Sequence, residues 1–81
     1  MSNKKVEIRI EISTERLKEI DDMMEQAGFV TRRDLFNNSF SLLQWVIEET
    51  KKGNVIASVN EKEELYKPLH MSAIEYIQKG L

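Results

Sequence analysis

Residues 6–12 read VEIRIEI, a strict alternation that puts Val6, Ile8, Ile10 and Ile12 on one face and Glu7, Arg9 and Glu11 on the other. Four of these seven residues are β-branched and apolar, which fits a half-buried strand. The period then changes. In STERLKEIDDMMEQAG, Leu17, Ile20, Met24 and Ala27 recur at steps of three, four and three, the spacing of one helix face. Ser13 or Thr14 supplies the N-cap, Glu15 complements the positive end of the macrodipole, and Gly28 suits the left-handed residue that ends a helix. A short link, Phe29-Val30, leads to a second helix capped by Thr31. It runs through about Thr50 and stops at Gly53, with Lys51 and Lys52 at its end. Its apolar residues are Leu35, Phe36, Phe40, Leu42, Leu43, Trp45, Val46 and Ile47, a stripe wide enough for a helix covered on more than one side.

After Gly53 the pattern shortens. Residues 54–59, NVIASV, read as a short extended segment. Asn60 with Glu63 resembles a capping box and predicts a short helix to about Tyr66, ended by Pro68. Ser72 with Glu75 is a second such pattern and opens a final short helix containing Ile74 and Ile77. The fold class is therefore mainly α with one strand, organised as a unit over 1–53 and an extension over 54–81. The extension holds Val55, Ile56, Val59, Leu65, Tyr66, Leu69, Ile74 and Ile77 and is too apolar for a floppy tail.

A lone strand with one apolar face has no ladder partner in the first unit, and an open edge invites pairing with another chain. The economical partner is a second copy. Two protomers about a two-fold axis would form an intermolecular two-stranded antiparallel ribbon wrapped by four helices, an intertwined homodimer. Val6, Ile8, Ile10 and Ile12 would share its core with Leu35, Phe36, Phe40, Leu43, Val46 and Ile47. Charge selects the register. Centring on Arg9 opposes Glu7 to Glu11 of the second copy, which is unfavourable; centring on Ile8 opposes Glu7 to Arg9, and centring on Ile10 opposes Arg9 to Glu11.

Composition points the same way. At 81 residues the chain makes one domain at most and buries a small fraction of its surface. With no Cys and a single His, disulfides, thiolate metal sites and a His-rich zinc site are all excluded as supports, which leaves oligomerisation. No apolar run approaches the roughly 18 residues that span a bilayer, so no membrane partner is expected. The N-terminus alternates where a signal peptide would be apolar, so the expected location is cytoplasmic.

Strand, helix, glycine, capped helix at these lengths resembles the ribbon-helix-helix family of DNA-binding repressors, the Arc and MetJ group. The likeness rests on VEIRIEIST, Gly28 and TRRDLFNNSF (31–40), and covers residues 6 to about 53. It implies that the ribbon enters the major groove and that its outward residues, here Glu7, Arg9 and Glu11, read base edges. It also implies that the start of the second helix grips phosphate, here through Thr31, Arg32 and Arg33. Double-stranded DNA is then the expected partner and sequence-specific repression the expected function. Arg9 can make a bidentate contact to guanine. Glu7 and Glu11 can accept from cytosine N4, orient Arg9 or reject wrong bases.

A net charge of −2 alone argues against nucleic acid, but the charge is unevenly spread. The presumed DNA face holds Lys4, Lys5, Arg9, Arg32 and Arg33 against Glu7, Glu11 and Asp34. Residues 15–27 hold two basic side chains against five acidic ones, on the helix the resemblance places away from DNA. Arg32 and Arg33 oppose the macrodipole at a helix start, a local cost that favours phosphate contact as their reason. Trp45 is expected in core or dimer packing, or against the extension. The methionines, among them Met23, Met24 and Met71, are expected as core fillers, and His70 as a surface side chain.

No carboxylate pair, nucleophile elbow, glycine-rich phosphate loop or metal-ligand spacing occurs, so neither an enzyme nor a cofactor is expected, and Tyr66 and Tyr76 take no catalytic role. Two alternatives to a regulator remain. One is an antitoxin whose extension orders on a toxin, as in antitoxins that resemble this family. The other is a dimeric protein-interaction module that never touches DNA.

Overall fold

The computed structural model describes residues 4–81, so residues 1–3, the start of the unit expected over 1–53, lie outside it. The elements are α1 (Thr14–Ala27), α2 (Arg32–Lys51), β1 (Ala57–Asn60), β2 (Leu65–Pro68) and α3 (Ser72–Lys79). The chain is mostly helical with one two-stranded antiparallel sheet. It divides into a compact unit ending at Asp34 and a second, Leu35–Leu81, so that α2 begins in one and continues through the other.

In the first unit, residues 4–13 form neither helix nor paired strand within the single chain. The strand expected over 6–12 thus lacks a ladder here, because a strand needs a neighbour and no other described segment pairs with it. α1 starts where Ser13, with extended backbone, accepts a hydrogen bond at its Oγ from the Arg16 N–H at 3.0 Å. It ends in a Schellman motif. The Phe29 N–H donates to the Met24 carbonyl at 2.9 Å and the Gly28 N–H to that of Glu25 at 3.3 Å. Gly28 has φ 73°, where a side chain would add strain. Leu17, Ile20, Met24 and Phe29 are half-buried, and Met23 is exposed.

α2 opens on Thr31, whose Oγ1 accepts the Asp34 N–H at 3.1 Å. It closes on a second Schellman motif, with Gly53 at φ 82° and the Asn54 N–H donating to the Glu49 carbonyl at 3.0 Å. Lys52 and Asn54 also donate to the Glu49 carboxylate, at 3.2 and 3.3 Å, and hold its pKa below the usual carboxylate range. Ser13→Ala and Thr31→Ala each remove a cap. Each is expected to lower stability by about 1 kcal/mol, read as a lower urea midpoint with unchanged slope.

The second unit corrects the reading of the extension. Residues 60–66 are a hairpin and not a helix. β1 and β2 pair Ala57 with Pro68, Ser58 with Lys67, Val59 with Tyr66 and Asn60 with Leu65. The capping-type bond does form, with the Glu63 N–H donating to Asn60 Oδ1 at 3.2 Å, but it closes the turn at the hairpin tip and starts no helix. Glu64, at φ 55°, completes that turn. Pro68 is the last residue of a strand and ends no helix. The box expected from Ser72 is also absent: the N-cap of α3 is Met71, without a side-chain bond.

The extension folds back on α2. An almost wholly apolar cavity of about 360 Å³ is lined by Leu42, Leu43 and Val46 from α2 and by Ile56, Leu69 and Met71 from the extension. Among the described residues, Val46, Ile74 and Thr50 are the buried ones. Thr50 keeps its hydroxyl satisfied by donating to the Val46 carbonyl at 2.7 Å.

Candidate nucleic-acid interface

The segment before α1 carries the side chains expected to meet DNA. Glu7, Arg9 and Glu11 are exposed, and Arg9 Nε lies 3.8 Å from Glu7 Oε1. An open ion pair of this kind is worth about 0–1 kcal/mol, so Arg9 can leave it for a better acceptor at little cost. Lys5, Val6 and Glu7 line a shallow open depression together with Arg33. The structure therefore brings one arginine of the α2 start beside the strand-patterned segment. Lys4 precedes them on the same segment.

At the α2 start, the Thr31 hydroxyl oxygen is used as a cap, which leaves its proton free to donate elsewhere. The N–H groups of the first helical residues, Arg32 and Arg33, have no acceptor within the helix. The two arginines differ. Arg32 Nη2 sits 3.4 Å from Asp21 Oδ1 and ties the start of α2 to α1. Arg33 has no ion pair among the described residues. The Arg32–Asp21 brace was not legible from the sequence, since a spacing of 11 residues across a link matches no local rule. It makes Arg32 a positioning side chain as well as a cation, and leaves Arg33 the freer of the two.

The residues expected in a shared dimer core divide. Val46 is buried, Leu35 and Ile47 are half-buried, and the rest are open in the single chain. Val6, Ile8 and Ile10 are 83%, 78% and 77% exposed, and Ile12, Phe36, Phe40 and Leu43 are also uncovered. Phe36 and Phe40 stack on each other one turn apart, with centroids 6.0 Å apart. Trp45, expected in packing, is half-exposed. His70 is exposed at the edge of a small cleft with Thr50, Asn54 and Glu75. Among the described residues no group of three His, Asp or Glu side chains could hold a metal ion, and no helix is long and apolar enough to cross a membrane.

Compared with known proteins, the chain matches no family model, no curated protein and no solved structure.

Proposed function

We propose that this chain is a ribbon-helix-helix-type transcriptional regulator, a repressor that binds DNA as a homodimer and acts without catalysis or cofactor. One observation carries the reading. Val6, Ile8 and Ile10, at strand spacing directly before two capped helices, are more than three-quarters exposed. An apolar ladder of that kind needs a cover, and a second copy of the same segment supplies both the cover and the missing hydrogen-bond partners. Closing the ribbon turns Glu7, Arg9 and Glu11 outward together, at the width a major groove accepts. Arg9 reads guanine, the two glutamates set its direction and exclude bases that offer them no donor, and the α2 starts with Lys4 and Lys5 hold phosphates.

The phosphate role has its own signature. Arg33→Ala is expected to lower the slope of log affinity against log salt by about 0.9 per copy, with sequence preference intact. Arg32→Ala is expected to do the same and also to loosen the α1–α2 link. Binding isotherms at several salt concentrations read both.

The function itself is tested by selecting from a random DNA pool at two salt concentrations, with Arg9→Ala as control. Enrichment of one motif that Arg9→Ala loses supports the regulator. Enrichment of no motif favours the interaction module.

The antitoxin reading rests on a different observation. The extension leaves Val55, Val59, Leu65, Tyr66 and Tyr76 exposed, a surface a protein partner could cover. Against it stands the order of the extension, already a hairpin and a helix in the same compact unit as Leu35–Lys51. Slow amide exchange across 57–79 in the isolated protein supports the fold-back form. Exchange at unfolded rates there favours a tail that orders on a toxin.

A further inference from the structure

The β1–β2 hairpin has two edges, and they are not alike. The Leu69 N–H donates to the Ile56 carbonyl at 2.7 Å, which extends the ladder by one hydrogen-bonded pair beyond Ala57–Pro68. In an antiparallel ladder such pairs alternate, so Ser58–Lys67 and Asn60–Leu65 exchange bonds inward. The N–H and C=O groups of Ala57 and Val59 therefore point outward from the free edge of β1. On β2 the outward positions are Tyr66 and Pro68. Proline offers no N–H, and Lys67 lies between them, so that edge carries two of the features that discourage strand addition. β1, with the sequence ASVN, carries neither. Residues 53–60 contain no charge at all, and Ser58, Val59 and Asn60 are exposed.

We propose that the free edge of β1 pairs antiparallel with β1 of a second copy, about a two-fold axis at Ser58, to make a four-stranded intermolecular sheet. This contact is separate from the ribbon over 6–12 and does not depend on it. The register is self-complementary. Centring on Ser58 sets Ala57 opposite Val59 of the other copy, twice, and pairs every outward N–H and C=O of these residues across the axis. The ends of the strands agree in charge. The hairpin tip carries Glu61, Glu63 and Glu64 against the single Lys62, whereas Lys51 and Lys52 end α2 just before β1. Antiparallel pairing brings the acidic tip of one copy toward the basic helix end of the other. An isolated two-stranded hairpin is marginal in water, and two added strands give it the width of an ordinary sheet. With the ribbon in place, the second contact joins dimers to one another.

The chain has no cysteine, so an introduced one reports cleanly. At the axis Ser58 faces Ser58 of the second copy in a non-hydrogen-bonded pair, with Cα atoms about 4.5 Å apart, inside the range a disulfide spans. Lys67 would lie three strand spacings from its counterpart, about 14 Å, outside that range. The full-length Ser58→Cys protein under mild oxidation is expected to form a covalent dimer, and Lys67→Cys to remain uncrosslinked. Val59→Pro removes only an outward N–H and is expected to lower the mass in solution by light scattering at least two-fold, with far-UV dichroism unchanged. If the ribbon exists, the mass falls from an assembly of several dimers to two copies; if the ribbon reading fails, it falls from two copies to one. The proposal is overturned if Ser58→Cys cross-links no faster than Lys67→Cys. A mass that stays the same in a folded Val59→Pro protein also overturns it, including the case in which the edge takes a strand from a different protein. Should Val59→Pro fail to fold, the cysteine pair decides alone.

Discussion

Ile10→Glu is expected to abolish self-association through the N-terminal segment and all high-affinity DNA binding with it. In the single chain Ile10 is 77% exposed, so a glutamate there meets water and changes the protomer by no more than about 0.5 kcal/mol. In a closed ribbon the same residue sits on the apolar face under the helices, and symmetry puts two carboxylates into one core. An uncompensated buried charge costs about 3–5 kcal/mol, and here two would lie close together. The contrast between a negligible effect in one state and a prohibitive one in the other gives the test its power. Sedimentation velocity of Ile10→Glu is expected to show a smaller assembly than the parent forms at the same concentration, held only by the contact through β1. Ile10→Val, which keeps shape and β preference, is expected to retain assembly. If folding and association are one step, the glutamate variant also loses helicity, as in obligate dimers. Unchanged association by Ile10→Glu would place the contact elsewhere.

Arg9→Ala is expected to erase discrimination between the selected DNA site and a scrambled one. A good bidentate arginine–guanine contact is worth about 1–3 kcal/mol, and a symmetric dimer uses two, so the loss is about 2–6 kcal/mol. That corresponds to roughly 30-fold to more than 10⁴-fold in affinity for the selected site. Binding to the scrambled site, carried by phosphate contacts through Lys4, Lys5 and the α2 starts, should change little. Among the described residues Arg9 is engaged by the open pair with Glu7 alone, so its removal leaves no buried group there unpaired. Fluorescence anisotropy on the two duplexes separates the outcomes. An equal loss on both would make Arg9 a phosphate contact, and no loss on either would leave it an ion-pair partner alone.

The helices were legible because what starts and ends them is local. Ser13, Gly28, Thr31 and Gly53 each act through hydrogen bonds within a few residues, and each acts where the sequence places it. The hairpin was misread because its local signal is ambiguous. Asn60 and Glu63 make the three-residue bond of a capping box, but here it closes the tip of a hairpin. The pairing of Val59 with Tyr66 across the tip, which no short window contains, decides between them. The signal that could have found it is the uncharged run before Glu61, the polar EKEE tip and the aromatic-aliphatic Leu65-Tyr66 after it, closed by a proline that a helix interior rejects. The N-cap of α3 is Met71, one residue before the expected Ser72, and Met71 lines the apolar cavity against α2.

For the candidate interface, Lys5, Val6, Glu7 and Arg33 line one shallow depression. The tie from Arg32 to Asp21 was hidden, because it depends on how α1 meets the start of α2. Net charge was the least informative quantity. Its value of −2 sums a cation-bearing segment and helix start with an acid-rich α1.

The central claim is that two copies join through residues 6–12. Its most direct test is a filtered nuclear Overhauser experiment on a mixture of isotope-labelled and unlabelled chains. The account predicts inter-chain contacts between Glu7 and Arg9, for a ribbon centred on Ile8, or between Arg9 and Glu11, for one centred on Ile10, with Ile8 and Ile10 methyl contacts in either case. Arg9 facing Arg9 of the second copy as the direct pair, or no inter-chain contact from residues 6–12, would contradict it.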